Sequence, residues 1–194
     1  MSLRKRTFRE ILTDRQGLLD ADRYEQSVDR IARTLIAAFA AGRRVYWFGN
    51  GGSAADAQHL AAEFSGRFRF DRRALPSEAF NVNPSAVTAI SNDYGFDSVF
   101  ARQVEAFAQP GDVVVGITTS GNSPNVVNGL EEANRRGATT IAFTGNGGGK
   151  VAEVAAISLI GPDGHSAIIQ EVHITLGHVI CELVEQTLLA GGDE

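Results

Sequence analysis

The chain has 194 residues, of which 43% are hydrophobic and 21% are charged, so it can bury the core of one domain and is not a disordered polypeptide. Its net charge of −5 argues against nucleic-acid binding as the main activity, and its apolar runs are shorter than the roughly 20 residues of a membrane span. The N-terminal segment lacks the apolar core of a signal peptide and the single cysteine, Cys181, excludes an internal disulfide, so we expect a cytoplasmic protein.

The first half of the chain opens with two helical patterns, over residues 4–16 and 22–41. We expect residues 1–41 to be a helical extension of a single domain that spans 1–194. An apolar strand is then predicted at 44–49, and a helix begins at Ser53. The next predicted elements are a strand at 77–82, a short helix at 84–93 and a helix at 96–108.

The second half alternates strands with helices. Short, almost wholly apolar strands are predicted at 112–118, 139–145 and 155–160, as is typical of parallel strands covered on both faces. A helix at 123–137 and a long helix from about 166 to 189 accompany them. The pattern predicts an α/β fold, a three-layer αβα sandwich around a five-stranded parallel sheet. Ligands of such sheets bind at the carboxyl ends of the strands.

Two loops at that edge, GNGGS at 49–53 and TTSGNS at 118–123, combine glycine with hydroxyl side chains and precede a helix. Glycine permits close approach of a ligand, and free N–H groups at a helix start suit an anion. Neither loop has the lysine of a P-loop or the complete dinucleotide fingerprint, which favours a phosphorylated small molecule over a nucleotide. The alternative is a pair of capped turns, with Ser53 and Ser123 as N-caps.

Two further segments have simpler interpretations. The glycine loop at 144–150 has no hydroxyl beyond Thr144 and is predicted to be a turn, with Lys150 in solvent. The basic segment GRFRFDRR, at 66–73, is either a solvated loop or a site for an anionic ligand.

The helix after Ser53 carries His59 and Glu63, which share a face because positions four apart differ by only ~40° around a helix. Small and apolar neighbours surround them, so an embedded carboxylate there needs a partner. The spacing suits two ligands of a divalent metal. A lone His/Glu pair of this kind is more often an ordinary surface pair.

The last predicted helix offers candidate partners. Glu171 lies within ~20° of His178 and Gln170 within ~80°, so spacing favours Glu171 without deciding between them. His173 is predicted to be a packing or interface histidine, His165 a loop residue, and Cys181 a buried thiol.

Four segments, in this order and spacing, resemble the sugar-isomerase (SIS) domain of bacterial phosphoheptose isomerases: FGNGGSAADAQHLAAEF, AISNDYGFD, GITTSGNSPNVV and IIQEVHITLGHVI. The resemblance covers essentially the whole chain. It implies a flavodoxin-like sheet and the conversion of sedoheptulose 7-phosphate to D-glycero-D-manno-heptose 7-phosphate, which supplies heptose for lipopolysaccharide or related glycans. It also implies a homotetramer with sites at subunit interfaces and one zinc ion per subunit.

The resemblance also assigns residues. The zinc ligands would be His59, Glu63, Gln170 and His178, so the family pattern selects Gln170 where spacing favours Glu171. We hypothesise that Glu63 shuttles the carbon proton and that His178 is the opposing acid/base. The phosphate and sugar contacts would be Asn50, Gly51, Gly52, Ser53, Asn92, Asp93, Thr118, Thr119, Ser120 and Ser123, with Glu63, Gln170 and Arg67 as further contacts.

The chain departs from the family pattern at two places. Thr118 stands where serine is usual, which keeps the hydroxyl, and Ala167 and Ile168 replace charged residues that often precede the glutamine. The alternatives are a non-catalytic SIS-domain protein that associates with the replication initiator and an isomerase of another sugar phosphate. The presence of both Glu63 and His178 favours an enzyme over the binding protein, because the resembling binding protein has both of these positions replaced.

Overall fold

The computed structural model describes residues 6–190, in which five strands alternate with helices. The elements are α1 (Phe8–Thr13), α2 (Ala21–Ala40), β1 (Val45–Gly49), α3 (Gly52–Ser65), β2 (Ser77–Ala79), α4 (Pro84–Tyr94), α5 (Val99–Phe107), β3 (Val113–Thr118), α6 (Pro124–Arg135), β4 (Thr139–Thr144), α7 (Gly149–Val154), β5 (Ile157–Ile160) and α8 (Ser166–Ala190). A short 3₁₀ turn, Phe96–Ser98, leads into α5.

The five described strands form one sheet in the order β2-β1-β3-β4-β5, and every pairing is parallel. This confirms the predicted five-stranded parallel sheet. The strand order reverses direction between β1 and β3, and in doubly wound sheets ligands bind in the crevice at such a switch point. The two hydroxyl-rich glycine loops follow these two strands.

Helices cover both faces of the sheet, as the three-layer prediction requires. Alternate residues of β1 point to opposite sides, because a strand has a period of two. Trp47 packs in the cluster formed with α2, α3 and α8, whereas Phe48 packs in the cluster formed with α5 and α6. Each layer therefore has its own core, and α3 and α8 share one of them.

Helices α3 and α8 approach closely at Gly177. A Cβ atom at that position would lie 2.7 Å from Cδ2 of Leu60, so the glycine permits the approach. By length and composition alone α8 could cross a membrane, since its most apolar stretch has a mean hydropathy of 1.4. Its buried residues pack in the core beside α2 and α3, and this packing explains its apolar character.

Some predicted bounds differ from the observed ones. Helix α1 is shorter than the predicted 4–16. It begins after the N-cap Thr7, whose hydroxyl accepts a hydrogen bond from the Glu10 N–H, while the Glu10 carboxylate accepts one from the Thr7 N–H. Residues 4 and 5 lie outside the described part. Strand β2 ends at Ala79, where the chain turns. The loop at 144–150 is not only a turn, since it leads into α7 at Gly149. Cys181 is buried, as predicted.

Candidate functional site

A cavity of about 200 Å³ lies at the carboxyl ends of β1 and β3. The N-termini of α3, α6 and α8 all border it. Its walls, apart from one isoleucine, carry hydroxyl or amide side chains, and we call it the anion cavity. The lining residues are Asn50, Ser53, Ile117, Thr118, Thr119, Ser120, Ser123, Ser166 and Gln170. Hydroxyl and amide donors beside three helix starts suit a small anion such as phosphate.

The first wall follows β1 and contains three glycines, at positions 49, 51 and 52. Gly51 has a φ of 57° and is the N-cap of α3, with no side-chain cap. A Cβ at Gly49 would lie 2.8 Å from the Ile117 carbonyl oxygen, and one at Gly52 would lie 2.7 Å from Cδ of Gln170. The glycines therefore let the loop lie against β3 on one side and admit the Gln170 amide on the other.

The second wall is the loop after β3. The Thr118 hydroxyl lies 2.9 Å from the Ser123 hydroxyl and 3.4 Å from that of Ser120. Ser123 is the N-cap position of α6, yet its side chain makes no capping hydrogen bond. Ser53 is not at the N-cap position of α3, because Gly51 takes that position. The hydroxyls therefore line a cavity rather than cap their helices.

An amide pair joins these two walls. The side chains of Asn50 and Asn125 exchange hydrogen bonds, with Nδ2–Oδ1 distances of 2.8 and 2.9 Å. Asn125 is buried, with 1% of its surface exposed. Because both ends of the amide pair are used, the pair fixes the separation of the two loops.

The third wall is the start of α8. The Thr119 hydroxyl donates to the Ser166 hydroxyl over 3.0 Å, which leaves the Ser166 proton free to donate. His165, a loop residue as predicted, accepts from the Ala167 N–H through Nδ1. Asn146 ties this wall to the second, since it donates to the Thr119 carbonyl and accepts from the Gly164 N–H.

A separate cluster lies further along α3 and α8, where His59, Glu63 and His178 form a trio whose candidate ligand atoms lie within 4.8 Å of one another. Nε2 of His59 is 3.2 Å from Oε1 of Glu63 and 2.7 Å from Nε2 of His178. The ring of Phe68 stacks on His178, with centroids 5.6 Å apart. Two imidazole nitrogens and a carboxylate oxygen are a donor set that zinc accepts, so the trio fits a divalent metal.

Gln170 belongs to the anion cavity and not to the trio. It is eight residues from His178 on one continuous helix, which is ~12 Å along the axis. Its amide packs on Gly52, itself seven residues before His59. Within one chain, the structure thus brings together three of the four predicted ligands and leaves Gln170 apart.

Asp56 shares a face of α3 with Gly52, His59 and Glu63, because steps of three, four and seven residues return to one side of a helix. Its Oδ2 atom is buried and has no hydrogen-bond partner among the described residues. Burial raises the pKa of Asp56 to about 6, although the charge of His59 acts in the opposite direction. The carboxyl group therefore lies between the anion cavity and the trio.

Three other candidates lie outside both clusters. Asn92 and Asp93 are exposed near the end of α4, where the Asn92 amide donates to the Asp93 carboxylate over 2.8 Å. Arg67 is exposed in the basic segment and has no hydrogen bond or ion pair with any described residue. The structure of the single chain does not bring these side chains to the cavity or the trio.

Glu171 and His173 on α8 both lie outside the trio. Glu171, which helical spacing favoured, forms an ion pair with Arg15 at 2.9 Å and lies ~10 Å along α8 from His178. His173 is confirmed as a packing histidine: it is fully buried and its Nε2 lies 2.9 Å from the Thr144 carbonyl oxygen. Burial lowers the pKa of His173 to about 4, and the hydrogen bond to Thr144 only partly offsets this effect.

Sequence reasoning did not identify three residues of the site. Asn125 lies two residues after Ser123, Ser166 opens the last helix, and Asp56 precedes His59 by one turn. The one available signal concerned Asp56, a carboxylate on the same helix face as the predicted ligands His59 and Glu63. The roles of Asn125 and Ser166 depend on contacts between loops distant in sequence.

Comparison with known proteins gives consistent matches. The family model described as SIS domain matches residues 16–145. The phosphoheptose isomerase of Aquifex aeolicus is 53% identical over 182 residues, which cover 94% of each chain. The structure of phosphoheptose isomerase GmhA from Neisseria gonorrhoeae aligns with a TM-score of 0.82 at 39% identity, covering 91% of this chain and 94% of the other. A phosphoheptose isomerase from Francisella tularensis aligns with a TM-score of 0.85 at 30% identity, covering 92% and 97%.

Proposed function

Because the chain belongs to the SIS-domain family and, within it, to the phosphoheptose isomerases, we propose that this isomerase converts sedoheptulose 7-phosphate to D-glycero-D-manno-heptose 7-phosphate. One observation supports the substrate most directly: the anion cavity lies at the start of α3 and the trio lies further along the same helix. Ser53, which lines the cavity, and His59 in the trio are six residues apart, which is ~9 Å along the helix axis.

That spacing matches a seven-carbon sugar phosphate. Its phosphorus is seven or eight bonds from C2 and C1, roughly 8–9 Å when three extended bonds span about 3.3–3.6 Å. A pentulose 5-phosphate has two bonds fewer and reaches roughly 6–7 Å by the same measure. With its phosphate in the anion cavity, the longer substrate places C1 and C2 nearer the trio.

In the proposed mechanism, the proton moves between C1 and C2 through an enediol. Glu63 takes the proton from one carbon and returns it to the other, while His178 exchanges a proton with the neighbouring oxygens. His59, 3.2 Å from Glu63, helps to orient that carboxylate. The hydroxyls of the anion cavity hold the phosphate, which positions the reacting carbons.

We propose that His59, Glu63 and His178 hold one zinc ion per subunit. When bound, zinc would act as a Lewis acid that stabilises negative charge on the substrate oxygens. Gln170 can join these ligands only if it comes from a second copy of the chain, which agrees with a proposed homotetramer that has sites at its interfaces. We further propose that the enzyme acts in the cytoplasm and supplies heptose for lipopolysaccharide or related glycans.

The test is turnover of sedoheptulose 7-phosphate, with bound metal measured in parallel and the assay repeated after chelation. We expect Glu63→Gln to lower kcat by about 10²–10⁴-fold, the usual contribution of a general base, with an unchanged circular dichroism spectrum. Glu153→Gln, on an exposed residue of α7, is the control and should keep full activity. Near wild-type kcat in Glu63→Gln would exclude the assigned role.

The same assay separates the alternatives. Faster isomerisation of a pentose or hexose phosphate than of the heptulose would assign a different substrate. Binding of the sugar phosphate with no turnover, in protein loaded with zinc, would indicate a binding protein.

A further inference from the structure

Glu185 is a buried residue of α8, and both of its carboxylate oxygens face the basic segment 66–73. Its side chain is 1% exposed. It accepts hydrogen bonds from the backbone N–H groups of Phe68, Arg69 and Phe70, at 3.1, 2.7 and 3.0 Å. Its Oε1 also lies 3.0 Å from Nε of Arg72, whose side chain is 4% exposed.

The segment held in this way touches both helices that carry the trio. On α8, the imidazole of His178 stacks on the ring of Phe68, and the two ring planes are inclined by 29°. From α3, the carbonyl oxygens of Glu63 and Phe64 accept hydrogen bonds from Arg72, at 2.8 and 3.0 Å. One carboxylate thus contacts four residues of the segment where it lies over the end of α3 and against His178.

Burial alone would raise the pKa of Glu185, but the hydrogen bonds from Arg69, Phe68 and Phe70 and the charge of Arg72 outweigh it, so the pKa is lowered. The carboxylate is therefore ionised and fully partnered at neutral pH. A buried ion pair of this type adds little net stability compared with apolar packing, and its presence here fits a role in fixing one conformation of the segment.

We propose that Glu185 is a positioning residue, which holds segment 66–73 so that Phe68 fixes the imidazole of His178 towards Glu63 and His59. The importance of this orientation for turnover rests on the proposed function, because a displacement of about 1 Å in a reacting group can cost up to 100-fold in rate. The orientation of the ring itself does not depend on the identity of the substrate.

The decisive comparison is Phe68→Leu against Phe70→Leu. Both positions lie in the same segment and both donate a backbone N–H to Glu185. Of the two rings, that of Phe68 stacks on His178, whereas Phe70 is 47% exposed. We expect Phe68→Leu to lower kcat about 10-fold or more with little change in KM, and Phe70→Leu to leave both unchanged. Equal kinetics for the two variants would overturn the proposal.

A second measurement observes His178 directly. In protein labelled with ¹³C-histidine, the ring resonances of His178 should shift or broaden in Phe68→Leu and in Glu185→Gln, and should keep their wild-type positions in Phe70→Leu. If Glu185→Gln fails to fold, the two phenylalanine variants still test whether Phe68 fixes His178, a step that the role of Glu185 requires, and failure of that step overturns the proposal. Wild-type His178 resonances in Phe68→Leu would refute the positioning role even if the enzyme is active.

The two proposals can fail separately. If the wild type does not isomerise sedoheptulose 7-phosphate, the proposed function fails while the His178 resonances still test the role of Glu185. If the wild type is active and Phe68→Leu behaves as the wild type in both measurements, the positioning role fails and the function stands.

Discussion

At the scale of single residues, the anion cavity offers a ligand at least one hydroxyl proton that no described protein group accepts. Ser166 is the clearest case, because Thr119 donates to its oxygen and leaves its own proton for a ligand. The start of α8 adds the positive end of a 25-residue helix at the same place. Ser166 thus offers a hydrogen-bond donor next to Ala167 and Ile168, whose side chains are uncharged.

We therefore expect Ser166→Ala to raise KM for sedoheptulose 7-phosphate by about 10-fold or more with little change in kcat, since a hydrogen bond to a charged group contributes roughly 1.5–3 kcal/mol. The dissociation constant of inorganic phosphate, measured by calorimetry, should rise in parallel. Thr187→Ala is the control, because that hydroxyl on α8 donates only to the Leu183 carbonyl. Equal phosphate affinity in both variants would exclude Ser166 as a phosphate donor.

The sequence was sufficient to predict that some residues of the site lie close together, but it did not predict others. His59 and Glu63 lie four apart, so helical geometry alone places them on one face. The Thr119–Ser166 contact joins residues 47 positions apart. It depends on how the β4 and β5 loops place the start of α8, which no local pattern encodes.

At the scale of secondary-structure elements, the trio lies at the contact between α3 and α8. Alternating apolar strands and amphipathic helices were enough to predict the sheet and these two helices. The six-residue helix α7 was not predicted, because it follows a run of glycines and is too short to show a periodic pattern. The closeness of α3 and α8 was also not predictable from periodicity, since it depends on Gly177 meeting the Leu60 side chain.

This contact can be tested with Gly177→Ala. The added methyl group would lie 2.7 Å from Leu60 and should push the helices apart, at a cost of about 1–3 kcal/mol in the free energy of unfolding, which urea denaturation measures. Zinc affinity should fall in the same variant, because His59 and His178 lie on opposite sides of the contact. A Leu60→Ala background should reduce the cost of the glycine substitution, and strict additivity of the two changes would contradict the overlap.

At the scale of the whole molecule, buried ionisable groups link stability to pH. His173 has its pKa lowered to about 4 in the folded chain, against about 6.5 when unfolded. The unfolded state then binds more protons than the folded state between these values, so the stability contributed by neutral His173 is complete above pH 6.5 and is lost as the pH falls towards 4. Glu185, whose pKa is also lowered, adds to the loss at still lower pH.

We expect the free energy of unfolding of the wild type to fall by up to about 3 kcal/mol relative to His173→Gln between pH 7.5 and 4, as measured by urea denaturation. The comparison with the variant isolates His173, because Asp56, whose raised pKa of about 6 has the opposite effect on stability, titrates in both proteins. Parallel pH profiles for the two proteins would show that His173 does not control the acid sensitivity.

The order of elements along the chain has a consequence for synthesis. His59 and His178 are separated by 119 positions, and all of β2, β3, β4 and β5 lie between them. A nascent chain that has left the ribosome as far as β5 carries both hydroxyl-rich loops, His59 and Glu63, while His178 is still inside the exit tunnel. A product released at that point would contain both loops and two members of the trio but would lack the third, so the cluster of His59, Glu63 and His178 could not form.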